Sequence, residues 1–103
     1  MVTHIVYFWL KPNLDAAGKN QFVAGINSLL TIESLKHGYV GVPADTEKRP
    51  IIDASYDYSL ITIFDDIEAH DAYQVHPTHD AFRELAHLWE RVQIYDSEIN
   101  SNT

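Results

Sequence analysis

Between Tyr73 and His79 the chain reads Tyr-Gln-Val-His-Pro-Thr-His, which sets one phenol and two imidazoles around Pro77. Imidazole is the side chain whose ordinary pKa lies near neutrality, so it can both give and take protons under physiological conditions. A neighbouring phenol adds a donor for an oxygen that gains charge during a reaction. Proline fixes its own φ and steers the residue before it away from the helix, so a helix should end near His76 and restart at Pro77. His76 then takes the capping position, His79 lies in the first turn of the new helix, and Tyr73 stands one turn before His76. Burial and the positive end of a helix both disfavour imidazolium, so His79 is expected to be neutral at neutral pH and able to accept a proton. An ordinary surface corner between two helices would carry the same residues, and the segment by itself leaves both readings open.

These groups need elements to hold them. Thr3 to Leu10 is apolar at nearly every position and rich in β-branched and aromatic residues, which predicts a strand. From Asp15 to about Leu35 the positions Phe22, Val23, Ile26, Leu29, Leu30 and Glu33 follow a helical period, with Asn13 or Asp15 as the cap. Gly18 and Gly25 weaken that helix, and one of them is expected where another backbone comes close. A short strand is expected within Ser34 to Val42, then a polar loop from Pro43 to Ser55 that contains Pro50. Tyr56 to Phe64 predicts a strand, and Asp65 or Asp66 caps a helix over Ile67 to His76. A further helical stretch runs from Thr78 to about Trp89, followed by a last strand from Arg91 to Ile99 and a polar, frayed tail over residues 100–103. The order β-α-β-β-α-β over residues 1–99 is the ferredoxin-like pattern: an α+β fold, an antiparallel sheet with helices on one face.

One face of that sheet is left without cover. The first strand alternates His4, Val6, Phe8 and Leu10 with Ile5, Tyr7 and Trp9; the third alternates Tyr58, Leu60 and Phe64 with Ile61 and Ile63. Two helices cover one side only. Burying a large apolar side chain is worth about 1.5–3 kcal/mol, so Ile5, Tyr7, Trp9, Ile61 and Ile63 predict a homodimer with the two sheets face to face. On the covered side, Val6, Phe8, Leu60, Phe82 and Trp89, with His4 and Tyr58 as added polar groups, would line a pocket suited to an aromatic or polyketide-like ligand.

Other chemistries find less support. His76 and His79 are close in sequence, with His70, Asp71 and Asp80 nearby, but the proline splits them and no third ligand stands at a metal-binding spacing, so no metal is expected. His37 and His87 are solitary. Asp65 and Asp66 serve capping better than catalysis, and no glycine-rich phosphate loop is present. The 103 residues suffice for one domain with a modest core. With 15 acidic residues against 7 basic ones the formal charge is −8, and the basic residues are scattered, so neither nucleic acid nor anionic membrane is an expected partner. There is no cysteine, no apolar run of membrane-spanning length and no signal-peptide pattern at Met1-Val2-Thr3-His4, which leads to the expectation of a cytoplasmic protein.

Nearly the whole chain resembles the stress-responsive dimeric α/β-barrel (Dabb) family. The resemblance rests on His4-Ile5-Val6-Tyr7-Phe8, on Tyr56-Asp57, on Ala72 to Phe82 above all, and on Val92-Gln93-Ile94-Tyr95-Asp96. It implies a ferredoxin-like fold paired into a dimeric α/β barrel. The family includes the plant olivetolic acid cyclase, which closes a linear tetraketide thioester by an aldol reaction without a cofactor. Its catalytic Tyr and His are similar to Tyr73 and His79, and its pocket His on the first strand is similar to His4. A further pocket His of the third strand is replaced by Tyr58. What the resemblance implies is therefore small-molecule binding with cofactor-independent acid-base chemistry, an aldol cyclisation or an isomerisation. The alternatives are a non-catalytic ligand-binding or structural dimer and a cofactor-free monooxygenase.

Overall fold

Nine consecutive residues, most of them β-branched or aromatic, form β1 (Val2–Leu10) in the computed structural model, which describes residues 1–100. There follow α1 (Ala16–Ser28), β2 (His37–Gly41), β3 (Tyr58–Phe64), α2 (Ile67–Gln74), α3 (Pro77–Arg83) and β4 (Trp89–Glu98). The fold is ferredoxin-like, with the second helix split at Pro77. Apart from Asn100, the tail expected after residue 99 lies outside the described residues.

The sheet order is β2-β3-β1-β4 and every pairing is antiparallel. Register sorts the side chains into rows that cross the strands. On the helix side, Val40, Leu60, Val6 and Ile94 form one row, and Gly38, Thr62, His4 and Asp96 form the next. The second row is the polar one, and the antiparallel pairing of β1 with β4 is what brings Asp96 beside His4. Phe22 and Ile26 of α1 pack onto this side with Phe64, Tyr73 and Phe82, and all five are buried. On the opposite side Tyr39, Ile61, Ile5 and Tyr95 line up across all four strands, and no helix among the described residues covers them.

Local chemistry sets the element ends. Asp15 accepts a hydrogen bond from the Gly18 amide (2.8 Å) to cap α1, and Asp66 does the same for α2 through the Ala69 amide (2.8 Å). The first helix stops at Ser28, short of the expected Leu35, and a single 3-10 turn follows over Leu29–Thr31. The Ser28 hydroxyl there donates to the Gly25 carbonyl (2.5 Å), and Ile32 is already extended. What crowds Gly25 is a pair of side chains and not a backbone: a Cβ there would lie 2.4 Å from Leu85 and 3.3 Å from Phe82. Trp89, expected to end a helix, instead begins β4. The spacing of Phe82, Leu85 and Trp89 is helical, but α3 ends at Arg83 and a 3-10 turn over Ala86–Leu88 carries the chain into the strand.

The loop between β2 and β3 reaches part of the open sheet face. The Tyr56 ring packs edge-on to Tyr7 at 4.7 Å, and Trp9 donates its indole N–H to the Ser55 hydroxyl (3.0 Å). The Arg91 guanidinium lies 4.2 Å from the centre of a Trp9 ring. Tyr7 and Trp9 are therefore partly sheltered by their own chain, and the row centred on Ile5 and Ile61 is the more open part of the face.

Candidate functional site

The break at His76-Pro77 fixes two imidazoles in different surroundings. His76 caps α3: its Nδ1 accepts from the Thr78 amide (3.0 Å), and its Nε2 lies 3.4 Å from a Glu33 carboxylate oxygen. Pro77 occupies the first helical position, where a missing N–H costs nothing. His76→Ala is expected to lower stability by about 1 kcal/mol, the usual value of a lost cap, as read from urea unfolding. His79, one turn further, points the other way, into the space between α3 and the sheet.

That space is a cavity of about 180 Å³. Of the residues predicted to form a site, Val6, Phe8 and Leu60 line it from the sheet, Phe82 from α3, and Trp89 from the start of β4. His4, Tyr73 and His79 bring their polar groups to the same cavity. Tyr58 does not join them. It sits opposite Phe8 in register, but its ring packs against Phe22 at 5.3 Å, away from the lining. Five further lining residues, Leu29, Gln74, Arg83, Val92 and Ile94, were not predicted for the site.

Tyr73 and His79 stand edge to face, with ring centroids 4.8 Å apart. Tyr73 is fully buried, yet its hydroxyl has no hydrogen-bond partner among the described residues, and the same holds for His79 Nδ1. Buried polar groups in proteins are almost always paired, so two unpaired ones lining the same cavity call for a reason. Burial holds the His79 imidazole well below its ordinary 6.5, at about 4; the Arg83 charge and His4 add to the effect and Asp80 opposes it. Burial also pushes the Tyr73 phenol far above its ordinary 10, with Arg83 opposing. At neutral pH the pair is a neutral imidazole and a phenol that keeps its proton.

A hydrogen-bond chain runs beside this pair, and its directions follow from donor chemistry alone. A guanidinium can only donate, so the Arg83 contact of 3.0 Å makes the Gln74 oxygen an acceptor. The other end of that amide then donates to His4 Nε2 (3.4 Å), which leaves the His4 proton on Nδ1, shared with Asp96 at 2.5 Å. Burial lowers the His4 pKa, against the opposing pull of Asp96. The Thr62 hydroxyl donates to the His4 carbonyl (2.6 Å) and anchors the strand there. Asp96 could have been found in the sequence: Val92, Ile94 and Asp96 continue one side of a strand, and an acid in line with two apolar residues stands out.

The sequence pattern of the Stress Responsive A/B Barrel Domain matches residues 2–99. No curated protein matches the chain in sequence. Among solved structures, a Dabb family protein from Mesorhizobium loti is 24% identical, with 97% of each chain covered and a TM-score of 0.75. A hydroxynitrile lyase from Passiflora edulis is 20% identical over 97% of this chain and 94% of its own, with a TM-score of 0.77. A dimeric ferredoxin-like protein of unknown function from Thermobifida fusca is 20% identical over 95% and 90%, with a TM-score of 0.75. At these identities the structures speak for the fold alone.

Proposed function

The chain belongs to the stress responsive A/B barrel domain family, and from that premise we propose a homodimer that binds a small apolar or aromatic, polyketide-like molecule in the cavity beside Tyr73 and His79 and performs acid-base chemistry on it without a cofactor. The observation that carries the reading is the pair of buried, unpartnered polar atoms, the Tyr73 hydroxyl and His79 Nδ1, on two residues that line one mostly apolar cavity. Burying an unpaired polar group costs about 1–3 kcal/mol, a cost that a ligand carbonyl would remove. His79 would take a proton from the carbon next to that carbonyl, and the Tyr73 hydroxyl would donate to the enolate oxygen that results. In an aldol closure the enolate carbon then attacks a second carbonyl, and the alkoxide formed there recovers the proton from His79. An isomerisation would return the proton to a different carbon. His4, Val6, Phe8, Leu60, Phe82 and Trp89 would hold the ligand body.

For the assembly, the support is the uncovered apolar row across the sheet and the dimeric state of the Thermobifida fusca protein, which has the same fold. The proposed interface is the sheet face that carries Ile5, Tyr7, Trp9, Ile61 and Ile63.

Two measurements test the ligand site. Tyr73→Phe removes a buried hydroxyl with no partner and is expected to raise unfolding stability by about 1 kcal/mol, read from urea unfolding without ligand. A loss of stability would mean that the hydroxyl serves the fold. In parallel, aromatic 1,3-diketones titrated into the protein should shift the His79 ring resonances and raise the melting temperature. Unmoved resonances across such a panel would remove the reading; binding without turnover would leave a ligand-binding dimer in place of an enzyme.

A further inference from the structure

Two imidazoles close to the acid-base pair have an arrangement that this chemistry does not explain. His4 on β1 and His70 on α2 have ring centroids 4.9 Å apart, and the Gln74 side chain lies against both. The Gln74 nitrogen, already identified as the donor end of its amide, is 3.4 Å from His4 Nε2 and 3.3 Å from His70 Nε2. Both Nε2 atoms are therefore acceptors whose lone pairs face one small group. Each ring keeps its proton on Nδ1, and each Nδ1 meets a carboxylate: Asp96 at 2.5 Å from His4 and Asp71 at 3.1 Å from His70.

A histidine that ligates a metal through one nitrogen characteristically gives the proton of the other to a carboxylate, which fixes the ring and makes it a better donor. His70 already has that support from Asp71. A third donor stands beside them: His4, His70 and Asp96 each offer a ligand atom, and the three atoms lie within 4.8 Å of one another. Asp96 shares a proton with His4 Nδ1, and an ion ligated by both would take that proton's place. A surface hollow of about 330 Å³, lined in part by His70, Asp71 and Asp96, gives access from outside.

We propose that His4, His70 and Asp96 form a binding site for a divalent transition-metal ion, entered from this hollow, with the proton between His4 and Asp96 as what the ion displaces. Neutral imidazoles with one carboxylate and no thiolate suit zinc and its neighbours in the first row; magnesium and calcium favour all-oxygen sites. The sequence hid the site because its three members come from β1, α2 and β4 and meet only through the register of β1 with β4 and the seating of α2. The site takes no part in the proton transfers proposed for His79 and Tyr73, so either reading can fail without the other.

The test is calorimetric titration of the full chain with Zn²⁺ at neutral pH, repeated with Co²⁺ in the visible spectrum. One ion should bind per chain. His70→Ala and Asp96→Asn should each weaken binding by about tenfold or more, whereas the surface variant His87→Ala should bind as the parent does. Absence of saturable Zn²⁺ binding, equal binding by His70→Ala and the parent, or equal affinity for Mg²⁺ would overturn the proposal.

Discussion

His79→Ala is expected to lower the turnover of a carbonyl substrate by about 10²–10⁴-fold, the range that one positioned general base supplies. The accompanying pH profile sharpens the test. A surface histidine acting as base would lose activity as pH falls through its ordinary 6.5. With the His79 pKa held at about 4, kcat/KM should stay level well below neutrality and fall only as pH nears 4. The sign for stability follows from the same shift. The unfolded chain takes up a proton at this ring before the folded chain does, so the contribution of His79 to stability is complete above about 6.5 and is lost as pH falls toward 4. His79→Ala should flatten that part of the stability profile. An acid limb near 6.5, or full activity in His79→Ala, would remove the residue from the chemistry.

A charge at the centre of the uncovered sheet face is expected to have the other large effect. Ile61 pairs with Ile5 on one side and Tyr39 on the other, in the row that ends at Tyr95. In a two-fold interface each substitution is counted twice. Losing the burial of one isoleucine costs up to about 3 kcal/mol per subunit, or about 6 kcal/mol per dimer, which corresponds to a dissociation constant about 10⁴-fold weaker. Ile61→Glu should therefore sediment as a monomer at micromolar concentration where the parent is expected to sediment as a dimer. Tyr7 and Trp9 are already partly sheltered by Tyr56 and Ser55, so substitutions there should matter less. A parent chain that sediments as a monomer would remove the dimer altogether.

How far the sequence could be read depended on how local each feature was. The cap at His76, the restart at Pro77 and the place of His79 in the first turn of the new helix follow from a few adjacent residues, and the structure has all three. The two sides of β1 and β3 follow from alternation, and the pocket residues Val6, Phe8 and Leu60 came with them. Features that join distant parts of the chain were not legible. Asp96 reaches His4 only through strand register, and Gln74 reaches His4, and Arg83 reaches Gln74, only after α2 and α3 pack. Tyr58 was assigned to the pocket from its side of the strand, but Phe22 takes up its ring. Trp89 was placed in a helix because apolar spacing continued past Arg83, and spacing alone does not register the turn at Ala86–Leu88. It lines the cavity even so, because β4 begins at that residue.

The mouth of the cavity has a consequence for which molecules it can admit. Val92 and Ile94 belong to β4, a strand with a neighbour on one side only, and they remain 41% and 46% exposed. The far wall of the cavity is thus its least constrained part, while the end with Tyr73 is fixed by the core. A ligand held at the fixed end would be measured for length against two side chains at the rim. Exchanging those two for larger or smaller ones would reset the permitted length and leave the reacting groups where they are.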